Sequence, residues 1–134
     1  MNDVLHDVVE LLNGPGEAMV GFNGSEDQAE AAAILLSNGK QYCLVRDWMI
    51  IEIEVTDAFR ESLAQDGLEP YVLYAGKVVC HSTMKRQRND WVRSTFQRSL
   101  REGYVFETRN TAYLLFGAGQ RKKARAETVM AIVE

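Results

Sequence analysis

A chain of 134 residues, 46% apolar and 25% charged, is long enough to bury a core and is read as one globular domain, residues 1–134. No apolar run approaches the roughly 18 residues a membrane helix needs, and MNDVLHDVVE at the start is acidic with no basic stretch, so a cytoplasmic protein with no leader and no membrane partner is expected. The net charge of −4 conceals a split, because residues 1–69 hold 14 Asp/Glu against 3 Lys/Arg while residues 70–134 hold 5 against 12.

In chain order, a first helix is predicted over residues 3–12, capped by Asn2, with Val4, Leu5, Val8 and Leu12 on one stripe and NGPG ending it. Ser25 and Gln28 have the spacing of a capping box. They open a helix over 25–38 that stops at Asn38-Gly39, a natural left-handed C-cap. The period then drops to two. QYCLV and WMIIEIEV predict strands over 41–55 around a short turn at Arg46-Asp47, with Met49, Ile51, Ile53 and Val55 facing a core. Thr56-Asp57 starts a helix over 57–66, closed by Gly67. YVLYA and KVVCH predict a hairpin over 70–81 around Gly76. YVFET and TAYLLF predict another over 103–116 around Arg109-Asn110, with asparagine suited to positive φ. STMKRQRN reads as an exposed basic loop and WVRSTFQ as a further strand. A last helix is predicted over 120–132, with Ala124, Val129, Ile132 and Val133 apolar. The fold class is α+β, a mainly antiparallel sheet built of hairpins with three or four short helices. Leu44, Ile51, Ile53, Val72, Tyr74, Val78, Phe106 and Leu114 are the predicted core.

Chemistry is sparse in this sequence. Gly117-Ala-Gly119 begins like a dinucleotide fingerprint, but Lys122 stands where the third glycine belongs, and no phosphate-binding G-x-x-x-x-G-K-[ST] occurs. Either the glycines release a strand from the sheet, or the start of the last helix holds an anion beside Arg121, Lys122 and Lys123. Cys43 and Cys80 are too far apart to suggest a zinc site, and they read as free thiols. Cys80 and His81, as neighbours on a strand, point to opposite faces, which makes a nucleophile–base pair there a minor alternative. No cofactor and no metal is expected.

CLVRDWMI, PYVLYAGKVV, DWVRSTF and FETRNTAYLLFGAGQRK, running from Cys43 to Lys122, together resemble an uncharacterised family of small proteins from pseudomonads and their prophages. The final hairpin, Phe106 to Gly119, is the most specific part. The family lends no catalytic residue. The phage connection implies an accessory protein that binds and blocks a host machine, as anti-CRISPR and other anti-defence proteins do.

The leading expectation is therefore a non-enzymatic interaction protein that binds, and inhibits, a host macromolecular complex through a protein partner. Lys85, Arg86, Arg88, Arg93, Arg121, Lys122 and Lys123 are the candidate partner-binding residues. The alternatives are nucleic-acid binding through residues 85–101 and 121–125, where Trp91 and Phe96 interleave with cations, and an enzyme with a site near Cys80 and His81. A pI near 5.2 weighs against general nucleic-acid affinity. The charge split allows one acidic and one basic face, or halves that neutralise each other across the fold.

Overall fold

A computed structural model describes residues 4–132. The elements in order are α1 (Val4–Asn13), β1 (Glu17–Val20), α2 (Glu26–Leu36), β2 (Gln41–Glu54), α3 (Asp57–Gln65), β3 (Tyr71–His81), β4 (Val92–Arg93), β5 (Ser99–Arg101), β6 (Val105–Glu107), β7 (Thr111–Leu115), β8 (Ala118–Arg125) and α4 (Ala126–Met130). The first three helices fall where the sequence places them. The capping box forms as expected, with the Gln28 amide donating to Ser25 Oγ at 3.1 Å and the Ser25 amide donating to Gln28 Oε1 at 2.9 Å. Asn38 and Gly39 both take left-handed φ after α2. The expected Asn2 cap and Val133 lie outside the described residues.

β2 is the spine. Antiparallel β3 pairs along one edge, from Cys43–His81 to Glu52–Tyr71. The other edge is shared by two parallel partners, β7 beside Gln41–Val45 and β8 beside Met49–Glu54. The sheet is therefore mixed, not a set of hairpins. Within 103–116 the expected hairpin is present as β6 and β7, closed by Thr108 and Thr111 with neither Arg109 nor Asn110 at positive φ.

Arg46-Asp47 and Gly76 are not turns. β2 and β3 run straight through, and the two sites lie across from each other, between the Arg46–Lys77 and Trp48–Ala75 pairs. Asp47 takes φ of 53° there. This kink shifts the face of both strands by one residue. Cys43, Val45, Trp48 and Ile50 consequently line one core together with Ala75 and Val78.

Residues 92–101 then close the sheet on itself. β4 pairs β3, Gln97 bridges to Glu69, and β5 pairs β6. The pairings β2–β3, β3–β4, β5–β6, β6–β7 and β7–β2, with residues 94–98 running on from β4 to β5, curl the sheet into a ring around Ile50, Leu73, Phe106 and Leu115, all buried. On the outer face α2 covers Leu44, Ala112 and Leu114, while α1 and α4 cover Met49, Ile51, Ile53 and Val72. With both faces covered, Ile50 is as buried as Ile51. Of the predicted core, only Tyr74 is half-buried.

The predicted helix over 120–132 is corrected. Residues 118–125 are β8, paired by β1 over 118–121 and by β2 over 120–125, and only Ala126–Met130 is helical. QRKKAR favours a helix locally, but a ladder that pairs 118–121 with β1 and 120–125 with β2 outweighs propensity differences of a few tenths of a kcal/mol per residue. Among the described residues no helix is long and apolar enough to cross a membrane.

Candidate protein-binding loop

The structure distributes the seven candidate cations over three places. Lys85, Arg86 and Arg88 sit on the loop between β3 and β4, Arg93 on β4, and Arg121, Lys122 and Lys123 on β8. The loop leaves β3 opposite Cys43, whereas Lys123 pairs with Glu52. At about 3.3 Å per strand residue, those points lie roughly 25–30 Å apart along β2. The two basic segments do not make one surface.

Most of these cations are used inside the fold. Arg93 Nη1 donates to the carbonyls of Val129 at 2.9 Å and Ile132 at 3.5 Å. Lys122 Nζ donates to Leu11 O at 2.6 Å and Gly14 O at 2.8 Å, satisfying carbonyls at the end of α1, and burial pulls its pKa down. The Arg121 guanidinium lies 5.3 Å from the centre of the Tyr71 ring. Arg125, beside them, bridges Asp7 at 3.1 Å and Glu127 at 3.2 Å. Lys123 is exposed. Trp91 packs on Tyr74 and Phe96 on Phe59.

Gly117 and Gly119 serve Trp48. Gly117 turns the chain from β7 into β8 at φ of 77°, and its carbonyl accepts the Trp48 indole N–H at 3.1 Å. A Cβ on Gly119 would overlap the Trp48 ring. The chain continues from the glycines as strand β8, so no helix start stands behind them to hold an anion.

Both thiols stay protonated at neutral pH. Burial pushes Cys43 up to about 12. Burial and then the neighbouring Glu30 carboxylate push Cys80 up to about 11, and its Sγ donates to Glu30 Oε2 at 3.6 Å. His81 Nδ1 instead accepts the Thr83 amide at 3.2 Å, and burial followed by the charges of Arg86 and Lys85 lowers its pKa.

The loop at 82–90 is built with unusual care for an exposed segment. At its base, Ser82 N–H donates to Tyr42 O at 2.9 Å while Tyr42 N–H donates to Ser82 Oγ at 2.8 Å. On the return leg, Asn89 N–H donates to Val78 O at 2.8 Å and Val78 N–H to Asp90 O at 2.7 Å. Gln87 N–H donates to Asp90 Oδ2 at 2.8 Å, and Arg88 forks onto Glu26 of α2 at 3.1 and 3.3 Å. The tip is Met84, held at φ of 58° with its side chain 87% exposed. Left-handed φ at such a residue costs about 1–3 kcal/mol and marks functional loops more often than ordinary ones. Lys85 and Arg86 follow it, both exposed and without an ion pair among the described residues. Sequence reasoning singles out the cations here and passes over Met84, whose only signal is one apolar residue inside STMKRQRN.

A family model for a domain of unknown function, DUF6957, matches residues 20–131. The chain belongs to this family. The matched span begins at the end of β1 and runs into α4, and it takes in the closed ring, α2, α3 and the 82–90 loop. No curated protein and no solved structure matches the chain.

Proposed function

We propose that this member of the DUF6957 family is a non-enzymatic interaction protein that seats the 82–90 loop on a partner protein and blocks it. One observation carries the reading, the hydrogen-bonded loop that holds exposed Met84 at strained φ next to two cations without an ion pair among the described residues. Methionine fits irregular apolar pockets, and arginine and methionine are enriched at interfaces. The hydrogen bonds that join the two legs of the loop lower the ordering entropy lost on association. The complementary surface is an apolar pocket rimmed by carboxylates. On the resemblance to pseudomonad and prophage proteins, the partner is a component of a host defence complex.

The test is an affinity capture from pseudomonad lysate, with and without nuclease, using the wild type and the triple variant Met84→Glu, Lys85→Glu, Arg86→Glu. A captured protein should survive nuclease and be lost by the variant, and in titration against the purified partner Met84→Ala alone should weaken binding by roughly tenfold or more. Capture that disappears with nuclease would turn the reading toward nucleic acid. Equal capture by the triple variant would remove the loop from consideration.

A further inference from the structure

A cleft of about 390 Å³ opens between α3, α4 and residues 93–96. We infer that this cleft is a binding site for a small apolar carboxylate, such as a medium-chain fatty acid or an aryl acid. Its volume is within the range of pockets that hold small molecules, roughly 300–1,000 Å³. The walls are apolar: Val55 from the end of β2, Phe59 from α3, Phe96 from the segment after β4, and Val129 and Met130 from α4. Phe59 and Phe96 meet with ring centres 6.0 Å apart, and the rim is open, with Phe59 44% and Met130 66% exposed.

Arg93 decides the class of ligand. It is the single charged side chain lining the cleft, and no Asp or Glu lines it among the described residues. The guanidinium is half-buried, and only Nη1 is engaged, by two carbonyls of the α4 end. Carbonyl dipoles do not neutralise a cation. Arg93 forms none of the six ion pairs of the described residues, so among those residues a permanently charged, half-buried group lies in an apolar wall without a counter-ion. A ligand carboxylate on the remaining guanidinium nitrogens supplies that charge through a charge-assisted hydrogen bond, and its hydrocarbon body covers Phe59, Phe96 and Met130. The exposed Thr95 adds a hydroxyl to the lining.

The experiment titrates decanoate and decanol, two ligands of equal chain length, into the full chain below their aggregation limits, read by methyl NMR and calorimetry. Decanoate should saturate a single site, shifting the methyls of Val55, Val129 and Met130, and should bind about tenfold or more tightly than decanol, the effect of one charge-assisted contact. Arg93→Met should erase that preference, Arg93→Lys should keep part of it, and Phe59→Ala should weaken both ligands alike. Since Arg93 also holds α4, the comparison of the two ligands on the wild type stands even if Arg93→Met does not fold. Equal affinity for acid and alcohol, shifts scattered away from the cleft, or no saturable binding overturns the inference. The loop variant with Met84, Lys85 and Arg86 reversed to glutamate should bind decanoate normally, so failure of one site is distinguishable from failure of the other.

Discussion

Trp48 lies where two neighbouring strands carry no side chain. Gly119 leaves room for the face of the indole, and Gly21 sits against its far edge and against the carbonyls of Leu115 and Gly117. The indole fills the point at which β7 gives way to β8, a place where parallel pairing would otherwise leave a hole. Gly119→Ala therefore drives a methyl group into a ring that cannot move, and should cost about 1–3 kcal/mol in urea unfolding. Gly76→Ala is the control. Its nearest neighbour would be Asp47 Cβ at 3.5 Å, and its φ is not left-handed, so its effect should stay within about 0.5 kcal/mol. Equal losses at the two positions would show that the Trp48 contact is not what makes Gly119 necessary.

The basic loop also has a titratable joint. His81 ends β3, and as a neutral ring it accepts the Thr83 amide that starts the loop. Its folded pKa lies below the unfolded value of 6.5, through burial first and then Arg86 and Lys85. The unfolded chain thus takes up the proton first, and stability present above pH 6.5 declines as pH falls below it. His81→Asn should flatten that part of the stability-versus-pH curve relative to wild type. An unchanged slope would assign the acid sensitivity to other groups. At this scale the sequence was most legible in elements held by local rules: the α2 capping box, the Thr56 start of α3, and the β6–β7 hairpin. It misled wherever distant pairing decided the outcome. Arg46-Asp47 and Gly76 resemble turns because they are kinked, but what they do is kink together inside a long ladder. QRKKAR has helical composition and becomes a strand because β2 offers it an edge some 70 residues away in the chain. The cleft at Arg93 was illegible for the same reason, since α3, β4 and α4 meet there only through the closed ring.

The acidic and basic halves meet across the whole molecule. Asp7–Arg125, Glu26–Arg88 and Asp66–Arg109 each join residue 69 or below to residue 70 or above. Such exposed pairs contribute only about 0–1 kcal/mol each, so stability rests on the shared strand instead. Ile53 belongs to the core under α1 and α4, and Leu114 to the core under α2, but both depend on β2. Ile53→Ala and Leu114→Ala should each cost about 2–5 kcal/mol, and tryptophan fluorescence and far-UV circular dichroism should still report one coincident transition in either variant. Separate midpoints would mean that the two cores unfold on their own. The same spine has a consequence while the chain is being made. One flank of β2, including Met49-Ile50-Ile51, stays bare until residues 111–125 have left the ribosome. A nascent or truncated product therefore displays an apolar strand with free amides and carbonyls, the template on which aggregates grow, until its own last strand arrives to cover it.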